Sequence, residues 1–237
     1  MRVVVPAAGS GTRGESVTAG PLPLPLRNRL AELILEAFEP GDARATLAAL
    51  TGACGPDGAA VEAGDAHRLE GLGWFESPAP GRIRLKPAHQ THARALGERA
   101  ARGVAATAGR RDPDGEALVV LLDRAAALAD RGLYFEVHEL LEPAWFRAPE
   151  PERTALQGLI QVGVAFHHLE NENREGARSL LADGVAKLAA TDSALPLDTT
   201  AWLGELRAGL AELVAGGRPA ENPRWPRPSP PASRRTP

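Results

Sequence analysis

Apolar side chains recur at helical spacing through the second half of the chain. The spacing predicts five helices with short connections, which favours an antiparallel helical bundle over residues 115–217. The predicted helices cover residues 115–131, 133–147, 152–170, 173–190 and 198–215. Asn173 stands where an N-cap residue is needed, so we expect its side chain to begin the fourth of these helices.

The first half of the chain has a different pattern. Helical spacing gives way to a Ser-Pro-Ala-Pro-Gly turn and then to alternating residues, which indicate one strand of a β-hairpin. Three helices followed by a hairpin resemble a winged-helix module, so the predicted fold is mainly α, with this module at residues 22–103 before the bundle. The three predicted helices span residues 26–38, 42–50 and 59–72, and the hairpin strand covers residues 82–86. A trailing helix is predicted after the hairpin, at residues 89–102.

Three segments lack a periodic apolar pattern. Residues 104–114 are rich in Gly, Ala and Arg and are predicted to be a linker, and residues 218–237 contain seven prolines, which predicts a disordered Pro/Arg tail. Residues 1–21 are predicted to be a flexible leader. Their Gly-Ser-Gly-Thr-Arg sequence resembles the phosphate loop of nucleotidyltransferases, but prolines follow where a lysine is needed, so no nucleotide is expected.

Charge separates the two halves. Residues 22–103 contain ten basic and ten acidic residues, whereas residues 112–217 contain eight basic and eighteen acidic residues. An acidic surface repels the phosphate backbone of DNA, so DNA binding is predicted to be weak or absent and confined to Arg82, Arg84 and Lys86. The expected partner is an unidentified small molecule or protein.

Cysteine content and hydropathy bear on location. Cys54 is the only cysteine, so no intramolecular disulfide can form and a reducing cytoplasm is the expected compartment. The chain has no apolar run of about 18 residues, so no membrane span is predicted.

A dense polar cluster marks the second predicted helix of the bundle. At about 100° per residue, Phe135, His138, Glu142 and Trp145 share one stripe, with Glu139 at its edge. Aromatic residues predict that this stripe faces the core, and buried carboxylates are costly unless they are paired or bound to a metal. The helix is therefore predicted to hold either a binding site or a closed polar network.

The third predicted helix supplies possible partners for that cluster. Gln157, Gln161, Val164 and His168 share one face at i, i+4 and i+7 spacing. We expect this face to lie opposite the His138 stripe.

Together these two segments resemble the domain of unknown function 309 family, over roughly residues 118–190. The resemblance implies an all-helical domain, and the family has been described as a predicted metal-dependent hydrolase. The matching positions are Gly132, Phe135, Glu136, His138, Glu139, Glu142, Trp145, the Gly-Leu-Ile-Gln sequence at 158–161, His167 or His168, Asn173, Gly176 and Ala177.

Two hypotheses follow for the cluster. In the first, a divalent metal (Zn, Mn or Fe) is bound by His138, Glu142 and His168, and Glu139 or Glu136 is the general base of a hydrolase. The residues expected around this site are Trp145, Gln157, Gln161 and His167. In the second, His138 bridges Glu142 and Gln161 in a structural network, and the protein is a non-catalytic regulatory or protein-interaction protein.

Overall fold

Helices dominate the computed structural model, which describes residues 22–61, 70–71, 73–107, 117–219 and 221–228. The predicted leader at residues 1–21 lies outside these ranges. Among the described residues, the first half contains three short strands and three helices, and residues 70 and 71 are helical as well. In chain order these elements are α1 (Leu24–Glu36), α2 (Ala43–Ala53), β1 (Ala59–Ala60), β2 (Phe75–Glu76), β3 (Arg82–Leu85) and α3 (Pro87–Thr107).

The sheet is antiparallel, with β3 between β1 and β2. Ile83 and Leu85 point into the core, and the intervening arginines are half-exposed, as strand alternation requires. The predicted helix over residues 59–72 is wrong at its start, because residues 59 and 60 pair with β3. Gly58 enables this pairing: at φ 64° it brings the backbone so close that a Cβ would lie 2.3 Å from the Ile83 carbonyl oxygen.

Most of that predicted third helix, residues 62–69 and 72, lies outside the described ranges. The observed architecture is thus mainly α with a small three-stranded sheet, and the winged-helix assignment stays a prediction. The helix α3 is longer than predicted and continues through residues 104–107, which were predicted to be linker. It continues because Val104 and Gly103 pack against the following helix, where a Gly103 Cβ would lie 3.6 Å from the Ala127 carbonyl oxygen.

The second half of the chain, which we call the helical domain, contains the helices predicted over residues 115–217. All five are confirmed, with ends that differ by a few residues. Each consecutive pair of helices is in contact. The Asn173 side chain accepts a hydrogen bond from the Gly176 amide at 3.0 Å, which confirms its capping role. The helices are α4 (Ala117–Ala129), α5 (Tyr134–Arg147), α6 (Glu152–Glu170), α7 (Arg174–Ala190) and α8 (Thr200–Val214).

The two halves share one apolar core. Leu26 and Leu30 of α1 belong to the same buried cluster as Leu128 of α4 and Leu141 of α5, and α1 contacts α5 directly. In the described part of the chain, no helix is both long enough and apolar enough to cross a membrane.

Residues 221–228, which we call the docked segment, pack against the helical domain. The Trp225 ring is 5% exposed and its centroid lies 5.2 Å from that of Trp202 in α8. Arg227 forms ion pairs with Asp123 at 3.2 Å and Asp130 at 2.7 Å. The predicted disordered tail is therefore wrong for residues 221–228, because a buried aromatic ring and two paired carboxylates hold them. Residues 220 and 229–237 are outside the described ranges.

Candidate functional site

Helix α5 buries a different face from the predicted one. Phe135, His138, Glu142 and Trp145 are only half-buried, so the prediction that their stripe faces the core is wrong. The aliphatic side chains pack more closely: Val137 Cγ1 lies 3.5 Å from the position that a Cβ would take at Gly163 of α6. The buried face consists of Leu133, Tyr134, Glu136, Val137 and Leu141.

The stripe places His138 beside two carboxylates near the surface. The His138 Nδ1 atom lies 3.3 Å from Glu139 Oε1, and its Nε2 atom lies 3.7 Å from Glu142 Oε1. These side chains are 28%, 38% and 39% exposed, respectively. Polar contacts with this much solvent exposure add little to stability. At the end of the stripe, Trp145 stacks on Phe146 at a centroid distance of 4.8 Å.

The predicted third metal ligand points elsewhere. That ligand is His168, whose neighbour His167 lies against Phe135 with ring centroids 6.0 Å apart. Because successive residues of a helix are about 100° apart, His168 is turned away from α5. Its Nδ1 atom is 2.9 Å from the Asn173 side-chain nitrogen. Within the described ranges, no group of three or more His, Cys, Asp or Glu side chains is arranged to hold a metal ion.

The two glutamines do not close a network with His138. Gln157 and Gln161 are half-buried on the same side of α6 as His168. Gln161 Oε1 is buried without a hydrogen-bond partner among the described residues, and no contact joins it to His138 there. The predicted His138–Gln161 bridge is therefore not formed.

Arg27 of α1 contacts two of the residues that resemble the domain of unknown function 309 family, which we call the motif. Its Nη1 and Nη2 atoms lie 3.1 Å and 3.4 Å from the ring nitrogens of His167, and its guanidinium carbon lies 4.3 Å from the centre of the Phe135 ring. A guanidinium only donates hydrogen bonds, so the ring nitrogen nearest to it must accept. We call Phe135, Glu136 and His167 the Arg27 site.

Glu136 is the buried carboxyl group of this site, with 1% of its surface exposed. Burial raises the pKa of the Glu136 carboxyl, while the positive charges of Arg27 and Arg99 act to lower that pKa. Burial also lowers the pKa of the Arg27 guanidinium, and the Glu136 carboxylate opposes that change. Glu136 Oε1 has no hydrogen-bond partner within the described part of the chain. The charges thus interact without a direct hydrogen bond from Arg27 to Oε1.

Arg99 of α3 makes a second contact with the motif. Its Nη1 atom donates to the Gly132 carbonyl oxygen at 3.1 Å and lies 3.7 Å from Glu170 Oε1. Gly132 has φ 67°, and a Cβ there would lie 2.9 Å from Arg99 Nη1 and 3.0 Å from Glu170 Oε1. Glycine at this position therefore serves both the backbone turn and the approach of the arginine.

Sequence reasoning missed Arg27, Arg99 and Glu170. Arg27 and His167 are 140 residues apart, and nothing in a single sequence pairs residues at that distance. Glu136 is absent from the stripe predicted to face the core, because that prediction took the aromatic residues to define the buried face. The aliphatic residues Leu133, Val137 and Leu141, which recur every four positions, were the signal that could have identified the buried face.

Comparison with known proteins gives a family but no function. The family model described as "Domain of unknown function (DUF309)" matches residues 122–180. The uncharacterized protein YpuF of Bacillus subtilis (strain 168) is 38% identical over 63 residues, which are 26% of this chain and 36% of the relative's length. The chain thus spans little more than a third of that relative, and no solved structure matches it. The match over residues 122–180 thus confirms the resemblance to the DUF309 family that the motifs predicted.

Proposed function

We propose that the protein is a non-catalytic regulatory or protein-interaction protein in which the DUF309 motif is the receptor for the N-terminal module. The observation that carries this proposal is the Arg27 guanidinium, which lies over Phe135 and beside His167. Phe135 and His167 of the motif are thereby contacted by the chain itself. A substrate would have to displace Arg27 to reach them.

Arg99 supports the same proposal. It connects α3 to the Gly132 turn and to Glu170 at the end of α6, so both contacts run from the N-terminal module to the motif. Two positive charges near Glu136 also disfavour a metal cation there, because like charges repel strongly where water is excluded. Coupling between two parts of one chain is a typical requirement of regulatory proteins.

We further propose that the N-terminal module is winged-helix-like and binds protein rather than DNA. Arg82 donates from Nη2 to the Gly58 carbonyl oxygen at 2.6 Å, and Arg84 donates from Nη1 to the Pro56 carbonyl oxygen at 2.8 Å. Arginines that hold the sheet in this way are less available to phosphates, which agrees with weak or absent DNA binding. A cytoplasmic location is part of this proposal.

The contact of Arg27 with the motif gives a direct test. Arg27→Ala should lower the melting temperature and increase amide hydrogen exchange in α1, because Glu136 loses a neighbouring positive charge and α1 loses its contacts with Phe135 and His167. Hydrogen exchange measured by mass spectrometry would detect the change helix by helix. The matched control is Arg29→Ala, since Arg29 pairs with Glu32 on the exposed side of the same helix. If α1 exchanges equally in the parent and both variants, the proposed coupling is wrong.

A metal-dependent hydrolase is the second candidate, supported by the half-exposed His138 between Glu139 and Glu142. His138 and Glu142 would bind Zn, Mn or Fe, and Glu139 would act as general base. We expect instead that protein purified without a His-tag holds no stoichiometric metal and that a chelator leaves its melting temperature unchanged. A stoichiometric first-row metal that disappears in His138→Ala would favour the hydrolase.

A further inference from the structure

We propose that the Arg27 site is a general guanidinium-binding site, in which Arg27 is an exchangeable occupant that the arginine side chain of a protein partner can replace. This inference rests on the proposed function, because it assumes that the Arg27 contact joins the module to the motif. It adds the chemical class of the ligand and identifies the event that would release the module.

The three groups of the site complement a guanidinium in different ways. The Phe135 ring offers its face at 4.3 Å, which suits a flat, weakly hydrated cation better than an ammonium. A ring nitrogen of His167 accepts a hydrogen bond at 3.1 Å. Glu136 supplies a buried carboxyl group with an unpartnered Oε1 acceptor among the described residues, and carboxylates bind guanidinium through two parallel hydrogen bonds when geometry allows.

Arg27 uses this site incompletely. Its hydrogen bonds go to His167, whereas Glu136 Oε1 has no partner within the described ranges. A buried acceptor without a partner costs free energy. A guanidinium that entered without the constraint of α1 could face the carboxylate and form the bond that Arg27 does not. The site therefore has unused capacity for the class of ligand that already occupies it.

The position of the site also permits exchange. His167 is 20% exposed, and Arg27 and Phe135 are half-buried, so the site lies at the edge of the contact between α1 and α5. Because Arg27 belongs to the same chain, its effective concentration is high, in the millimolar range typical of tethered groups. A free ligand should thus bind poorly to the parent and measurably once Arg27 is removed.

The test uses ethylguanidinium, which reproduces the end of an arginine side chain, with ethylammonium as the control cation. In Arg27→Ala, ethylguanidinium at ten times its Kd should raise the melting temperature by about 3 to 6 °C. Ethylammonium should have no comparable effect. The parent and Arg29→Ala should not respond, because Arg27 still fills the site in both. The double variant Arg27→Ala with Glu136→Gln should lose the response.

The outcomes separate the two proposals. If Arg27→Ala melts and exchanges like the parent, the proposed function is wrong. If it is destabilised but responds equally to both cations, or if Glu136→Gln leaves the response intact, the guanidinium site is overturned while the coupling role of Arg27 stands. Should Arg27→Ala fail to fold, Arg27→Lys provides a second background that keeps the positive charge. Ethylguanidinium should raise its melting temperature, and no rise there would equally overturn the site.

Discussion

Trp225→Ala is expected to destabilise the protein by about 3 to 5 kcal/mol, the usual cost of truncating a buried tryptophan. The ring is 5% exposed, packs on Trp202, and has Cη2 3.8 Å from the position of a Cβ at Gly163. Its removal would open a cavity against α6 and α8. It would also weaken the anchor that brings the Trp225 amide within 3.1 Å of Asp130 Oδ1. Urea unfolding would measure the loss.

Arg224→Ala is the matched control for this prediction. Arg224 is the exposed neighbour of Trp225, and substitutions at exposed positions usually change stability by less than about 0.5 kcal/mol. Equal unfolding midpoints for the two variants would contradict the docking of residues 221–228. They would restore the prediction of a disordered tail.

Gly184→Ala should strongly destabilise the contact between α6 and α7. A Cβ at Gly184 would lie 2.9 Å from the Gly158 carbonyl oxygen and 3.0 Å from Val162 Cγ2. The carbonyl oxygen belongs to the α6 backbone, so the clash can be relieved only by moving α6 and α7 apart. Overpacking of this kind costs up to about 3 kcal/mol. The midpoint of chemical unfolding would report the difference.

Gly204→Ala provides the opposite expectation. Gly204 lies in α8, and a Cβ there would meet no atom within 4 Å. Alanine is the better helix former, by up to about 1 kcal/mol, so this variant should match or exceed the parent in stability. A Gly184→Ala protein that is as stable as Gly204→Ala would show that α6 and α7 do not pack through their backbones.

The helices were predictable because their signal is local. Apolar residues repeat at helical spacing along α4 to α8, and Asn173 has the side chain that caps a helix, so both follow from short stretches of sequence. The predicted helix from residue 59 failed at its start because strand pairing with β3 depends on residues more than twenty positions away. The helix propensity of Ala59 and Ala60 contributes less free energy than this strand pairing, so the pairing decides their conformation.

The candidate site was predictable only in part. The motif identified the right helix, yet the choice of buried face rested on Phe135 and Trp145, which lie at the edge of the core. Aromatic rings that contact a cation need not be buried. The Arg27 guanidinium lies over the Phe135 ring, and the Arg153 guanidinium lies 5.7 Å from the centre of the Trp145 ring. Arg27 and Arg99 come from distant parts of the chain, so spacing within the motif could not reveal them.

The docked segment has a consequence for how a family is delimited. The DUF309 match ends at residue 180, but Trp225 covers Gly163, which lies inside that match. Arg99 similarly holds the Gly132 turn from a position before the match begins. The matched stretch is thus shorter than the packed unit to which it belongs in this structure. A fragment cut at the family boundaries should aggregate or remain partly unfolded, and any other chain carrying this stretch would need its own cover for the same surface.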